Sequence, residues 1–328
     1  MLAPGARAGQ PASAAAALAA PAVAPVSDAD GWLHRIQQAA TGSSYQGTLT
    51  FNVGGSTSSA RVLHHCDGRQ TYERLELLDG ESRVQYRHNE QVVTLWPSAR
   101  RALLETRDPV AQFPALPAAS SARVLENYEL QKVGQERVAG QDSDVLLLKP
   151  RDRLRFAQRL WAHRETGLLL RNDVLGAAGE VLESAAFVDL RLGTRPSAEQ
   201  FLKPMKQLDG WRVQRPPVER TQLEAEGWLM SKPVPGFQLV SSVRRPLDMG
   251  HGDGTPPQVI QSVFSDGLAQ VSVFIERYDP QRHVRPMGSV TGASHTVMAR
   301  RGDWWITVVG EVPMATAQQF EAGLERKR

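Results

Sequence analysis

From Thr48 to Val53 every second residue is apolar: Leu49, Phe51 and Val53 fall on one side, and Thr48, Thr50 and Asn52 on the other. Such alternation predicts a half-buried strand, and the Gly54-Gly55-Ser56 turn predicts a hairpin whose second strand runs around residues 60–65. The same period recurs over 73–78, over 83–88 after Asp79-Gly80, and over 91–96 after Asn89-Glu90, which together predict an antiparallel meander. A helical spacing precedes it, with Trp32, Leu33, Ile36 and Ala40 on one side of a helix that Asp30 can cap and Gly42 can end.

Between Leu103 and Leu130 the pattern changes, because Pro109, Pro114 and Pro117 interrupt an apolar stretch holding Val110, Phe113 and Leu116. A loop with short helical turns is expected there. Runs at 154–163, 168–175 and 181–190 predict three more antiparallel strands, separated by Arg164-Glu165-Thr166-Gly167 and Gly176-Ala177-Ala178-Gly179. Residues 193–235 are rich in proline and charge, but Phe201, Leu202, Met205 and Leu208 share one face of a helix expected to return to the first domain. Runs at 228–230, 237–243, 258–264, 270–278 and 304–309 predict a second, smaller sheet. Thr316-Ala317-Gln318-Gln319 reads as a capping box opening a last helix with Ala317, Phe320 and Leu324 at helical spacing. No fixed internal period runs through the chain, which argues against a repeat architecture.

The 328 residues exceed one ordinary core, so two domains are expected: a leader at 1–27, a first domain at 28–197, a linker at 198–220 and a second domain at 221–328. The fold class is mainly β, of α+β type. Thirty-eight basic residues are interspersed with 35 acidic ones, for a net +3, which gives no reason to expect nucleic acid and leaves room for anionic headgroups or an acidic protein segment. Residues 12–26 are rich in Ala and Pro, Arg7 lies upstream, and Ala17-Leu18-Ala19 forms a small-x-small pattern, so the leader reads as a secretory signal remnant or a disordered segment. No later stretch approaches the ~20 apolar residues of a transmembrane helix, and the mature chain is expected to be soluble.

Cys66 is the sole cysteine, so no intramolecular disulfide forms. Its neighbours in His64-His65-Cys66 alternate across a strand and cannot converge on one ion, so no metal is expected. There is no Gly-x-Ser-x-Gly elbow, zincin helix or phosphate-binding loop, and pairs such as Glu73 and Glu76 read as solvated. No catalytic residue and no cofactor are assigned, and an enzyme is not expected.

Two sets of residues point to binding. In Arg244-Arg245-Pro246 the proline stiffens the chain beside two guanidinium groups, each able to grip a carboxylate with paired hydrogen bonds. An acidic peptide is the ligand such a site suits, and a surface ion pair with Asp248 or Asp253 is the alternative. The second set is apolar: Leu49, Phe51, Val53, Val62, Tyr86, Val93, Leu95, Trp96, Phe113, Leu116, Phe156, Leu169 and Phe187. Any one of them serves a core; together, on a curved sheet opposite the proline-broken loop, they can line a hollow for acyl chains.

The run from Gly236 to Leu247, and Val263-Phe264-Ser265-Asp266-Gly267-Leu268 leading into the strand-like 271–276, resemble the C-terminal domain of the RseB/MucB family. Trp161, Glu165-Thr166-Gly167-Leu168, Gly179 and Phe187 resemble the lipoprotein-carrier superfamily, the LolA- and LolB-like domains that the family shares at its N-terminus. Tyr45-Gln46-Gly47-Thr48, Glu73-Arg74-Leu75 and Leu78-Asp79-Gly80 extend the likeness over most of the chain. The resemblance implies a half-closed antiparallel sheet wrapped around helices, followed by a smaller sheet domain with a closing helix. It implies a periplasmic regulator that binds the periplasmic part of an anti-sigma factor, shields it from proteolysis, and lets go when lipid, lipopolysaccharide or mislocalised lipoprotein fills the first domain. Arg244, Arg245, Pro246, Ser265, Asp266 and Gly267 are then the expected partner-binding residues. A lipid or lipoprotein carrier, or a chaperone of the LolA/LolB type, is the alternative, and homo-oligomers stay open.

Overall fold

The computed structural model describes residues 24–25, 28–106, 113–116, 121–247 and 257–327. The expected leader, apart from Ala24–Pro25, and residues 248–256 with the alternative partners Asp248 and Asp253 lie outside them.

Two antiparallel meanders make the first sheet. One runs through Tyr45–Val53, Ser56–Cys66, Thr71–Leu77, Val84–His88, Gln91–Trp96 and Arg101–Thr106; the other runs through Tyr128–Val138, Gln141–Pro150, Ala157–His163, Leu169–Leu175 and Val181–Leu192. They fuse where Val181–Leu192 pairs with Tyr45–Val53, with Phe187 opposite Leu49. Ala24–Pro25 adds a short strand on Tyr128–Val138, and Arg212–Gln214 adds the opposite edge, pairing in parallel with Arg101–Thr106. The thirteen strands form an open row whose ends do not join.

Helix α1, Ala29–Gly42, lies against this sheet. Its N-cap is Asp28, which accepts from the Gly31 amide at 3.0 Å, so the expected cap Asp30 instead occupies the first turn. Leu33 and Ile36 are fully buried among Leu146, Leu148, Leu160 and Tyr128. Burying each contributes about 1.5–3 kcal/mol, which holds the helix in place better than its own propensity could. Helix α2, Ser121–Asn127, packs on α1 and leads straight into Tyr128–Val138. Helix α3, Glu199–Lys206, buries Phe201 and Met205 against the first domain, as its spacing led us to expect.

The second sheet has seven strands in the order Glu219–Arg220, Gln238–Pro246, Gln258–Ser265, Gln270–Arg277, Trp304–Gly310, Ser294–Arg301 and Met287–Thr291, all antiparallel. Helix α4, Met314–Gly323, closes its core through Ala317 and Phe320. The capping box does not form: the helix starts at Met314 after Pro313, and the Thr316 hydroxyl donates to the Leu154 carbonyl of the first domain at 2.9 Å. A partner across the chain has taken the group that a local cap would use.

Candidate functional site

Buried polar contacts and a cavity gather where the two domains meet. Asp266 is the centre of one contact. Gly267, at φ +105°, lets the chain double back there, a conformation a side chain would strain. Asp266 Oδ1 then accepts from the Leu268 and Ala269 amides at 2.9 and 2.8 Å, while Oδ2 accepts from Arg155 Nε at 2.7 Å and from the Tyr128 hydroxyl at 3.0 Å. Its backbone carbonyl accepts from Asn127 Nδ2 at 3.1 Å. Both members of the Arg155–Asp266 pair are buried, at 1% and 0% side-chain exposure. Burial, and then the charge of Asp266, push the Tyr128 hydroxyl well above the ordinary tyrosine range, so it stays a donor. Arg155 also reaches Asp152 at 2.5 Å and the Pro235 carbonyl at 2.9 Å. At Gly236, next in sequence, a Cβ would stand 2.3 Å from Asn127 Oδ1, so only glycine admits so close an approach. Leu268 completes the contact by entering the first domain's core beside Leu116 and Leu169.

A second contact lies at the tip of the hairpin between Met287–Thr291 and Ser294–Arg301. Glu183 Oε1, from the first sheet, accepts from the Ala293 and Ser294 amides at 2.9 and 3.3 Å. Ala293 is fully buried, and Phe156 meets His295 edge to face at 5.7 Å. Glu311 stands nearby at a rim crowded by both domains yet still open to solvent. Burial raises the pKa of Glu183 against the effect of its hydrogen bonds, and burial together with the charge of Glu183 raises that of Glu311.

Between the two contacts lies a cavity of about 430 Å³, within the ~300–1,000 Å³ range of small-ligand pockets. Six of the predicted lining residues reach it: Phe51, Val53, Val62, Phe113, Leu116 and Leu169. Leu268, Gln270, Ser294, Val309, Gly310 and Glu311 of the second domain form the rest of the wall with first-domain residues. Leu49 and Phe187 pack instead within the sheet's core beside Tyr45. Tyr86, Val93 and Leu95 pack in the far core with Met205, where Val93 also faces a separate groove. Trp96 lies under the Arg101 guanidinium at 3.8 Å, and Phe156 serves the hairpin contact.

The expected partner-binding residues divide in two. Ser265, Asp266 and Gly267 are buried in the joint, with the Ser265 hydroxyl bonded to the Ala269 carbonyl at 2.9 Å. Arg244, Arg245 and Pro246 end a strand, where alternation sends the two guanidinium groups to opposite faces. Arg244 grips both oxygens of Glu226 at 2.7 Å. Burial alone would raise the Glu226 carboxyl, but the hydrogen bonds from Arg244 and Thr221 outweigh it, and its pKa falls below the ordinary value. Arg245 Nε donates to Gln261 Oε1 at 2.7 Å. His64 and His65 likewise diverge, the first stacked on Tyr45 and the second on Tyr72.

Sequence reasoning passed over Arg155, Tyr128, Glu183, Gln158 and Asn172. Arg155 sits in the charged run Arg151-Asp152-Arg153-Leu154-Arg155, where nothing local distinguishes it from its solvated neighbours.

The family model described as the MucB/RseB N-terminal domain matches residues 28–205, and that of the MucB/RseB C-terminal domain matches 222–325. This chain belongs to the MucB/RseB family. It is 31% identical to the sigma factor AlgU regulatory protein MucB of Pseudomonas aeruginosa over 300 residues, 89% of each chain. It is 24% identical to the sigma-E factor regulatory protein RseB of Haemophilus influenzae, over 88% of each. Among solved structures, MucB in complex with MucA(peri) is similar at a TM-score of 0.68 and 28% identity, covering 92% of this chain and 100% of that one. The Pseudomonas aeruginosa MucA/MucB complex gives 0.70 and 29%, over 92% and 99%. The family resemblance read from Gly236–Leu247 and Ser265–Leu268 therefore holds, and so does the expected half-open sheet followed by a smaller sheet domain.

Proposed function

We propose that this chain is a periplasmic regulator that binds the periplasmic segment of an anti-sigma factor and shields it from regulated proteolysis. The carrying observation is the match along 92% of the chain to MucB solved with MucA(peri). The strand end at Arg244, Arg245 and Pro246 is the proposed grip on an acidic part of that segment, with Arg244 exposed and only its Nη2 spent on the Glu226 carboxylate in the hydrogen bonds described. Ser265, Asp266 and Gly267 act indirectly in this reading, by fixing the pose of the domain that carries the strand.

Acyl chains of lipid, lipopolysaccharide or mislocalised lipoprotein are the proposed signal, and the cavity is their site. Both domains supply its wall, so a ligand larger than the space must alter how they sit together. A ligand that prefers the altered pose weakens the partner by the same factor by which the partner weakens the ligand.

Calorimetry of the full chain against the periplasmic segment of MucA tests the grip. Arg244→Ala combined with Arg245→Ala should weaken binding at least tenfold while the far-UV circular dichroism stays that of the parent. Unchanged affinity removes these residues from the interface, and no binding by the parent chain sinks the regulator reading.

A further inference from the structure

The two large sheets have four outer strands among the described residues, and three of them are blunted. Ala24–Pro25 is two residues long and ends in proline, Arg212–Gln214 is three residues long and opens on an arginine, and Glu219–Arg220 is two residues long and charged at both. Shortness, charge and proline are among the means that keep a sheet edge from recruiting another chain. Met287–Thr291 has none of them. It runs for five residues without charge or proline, pairs with Ser294–Arg301 without a register shift, and is exposed at every position. Thr291 faces Ser294 across the two-residue turn Gly292-Ala293, so Thr291, Ser289 and Met287 turn their backbone groups to the neighbouring strand, and Gly288 and Val290 turn theirs outward.

Beside this edge lies a hollow of about 540 Å³ whose wall includes Val284, Arg285, Met287, Met298 and Trp305. The loop that shapes it is held in place: His283 stacks on Trp305 at 4.7 Å, and its Nδ1 accepts from the Asp279 amide at 2.9 Å. Glu276, the one acid among the described lining residues, is buried, accepts from Arg282 and lies 3.3 Å from His283 Nε2. Arg285 is exposed and forms no ion pair among the described residues, so the rim is left positive.

We propose that Met287–Thr291 takes up an extended acidic segment of a partner polypeptide as an eighth strand of the second sheet, with an apolar side chain of the guest in the hollow and a carboxylate at Arg285. The outward backbone groups of Gly288 and Val290 supply the pairing, and the hollow supplies the selection, because every second side chain of an added strand falls on its side of the sheet. Met287 and Met298, opposite one another across the two strands, line it with unbranched thioethers that adapt to the guest's shape. An acyl chain would fill the hollow but leave the outward amides and carbonyls to water; a peptide engages both. The site stands at the other edge of the sheet from Arg244, with four strands between, so it neither needs nor replaces the grip proposed there.

The test is fluorescence anisotropy of the full chain with a labelled peptide of alternating valine and threonine that carries a central phenylalanine flanked by aspartates, and with the same peptide carrying lysines in place of the aspartates. The acidic peptide is expected to bind about fivefold more tightly at low salt, and Arg285→Glu should abolish that preference. Val290→Pro removes an outward amide that the sheet itself does not use, and should weaken the acidic peptide about tenfold. Methylating the peptide's backbone amides should do the same with the parent chain, whether or not the proline variant folds. Full-strength binding by a folded Val290→Pro variant, or by the methylated peptide, overturns the proposal. So does equal affinity for the acidic and lysine peptides, or a preference that survives Arg285→Glu. Binding of neither peptide also overturns it and leaves the Arg244 grip standing.

Discussion

The two contacts that join the domains are built from the same materials and differ in how completely those are used. At Asp266 a buried carboxylate has both oxygens bonded, one inside its own turn and the other to Arg155 and Tyr128 across the joint. At Glu183 a half-buried carboxylate accepts two amides of the hairpin tip and forms no ion pair among the described residues, and Glu311 raises the local negative charge. Burying a charge is tolerable only when its pairing is complete, so the first contact resists opening and the second yields. If the domains part, the hairpin tip should leave first.

The sharpest way to break this contrast is Asp266→Ala. It takes from the buried Arg155 its fully buried carboxylate partner, leaving Asp152 and the Pro235 carbonyl, and removes the acceptor of the Tyr128 hydroxyl and of two amides. A stability loss of about 3–5 kcal/mol is expected by urea denaturation. A loss below about 1 kcal/mol would mean that the pair is not holding the joint. Leu268→Ala keeps the charges and removes the apolar peg, for which about 2–5 kcal/mol is expected in the same assay. Smaller still is a pH effect. A glutamate whose pKa is higher folded than unfolded binds its proton more tightly in the folded chain, so its contribution is intact below the unfolded value, about 4.3, and falls as pH rises through the raised folded one. Stability should therefore decline across that window, and Glu311→Gln should flatten the decline by removing one of the two acids. An identical slope in the variant would take the acidic pair out of the account.

What could be read from the chain follows from how local each signal is. The hairpin 45–66 declares itself because one face is buried and the other is not, with Gly54 and Gly55 at the turn. Strand Met287–Thr291 does not, since every residue in it is exposed and no alternation arises. Tyr128–Val138 does not declare itself either: its first three residues fall in the loop expected up to Leu130, its far half, Gln135 to Arg137, is polar on both sides, and its register slips between Lys132 and Gly134. The Ser265-Asp266-Gly267 segment stood out only through the family resemblance, as partner-binding; its burial depends on Arg155, 111 residues away, and no spacing reports such a partner. Six of the apolar side chains singled out from the sequence border the cavity, but Glu73, Gln158, Asn172 and Glu183 belong to strands whose polar positions look solvated in sequence.

One feature of the connection limits what any opening can become. Arg212–Gln214 is sewn onto the first sheet and Glu219–Arg220 onto the second, so only Arg215, Pro216, Pro217 and Val218 are left between them. Five peptide steps reach about 18 Å at full stretch, and two prolines stiffen them. A second domain on so short a leash cannot carry its first strand farther than that from the edge of the first sheet without peeling strands away. Once released it remains at millimolar local concentration, and the clasp resets as soon as whatever wedged it leaves.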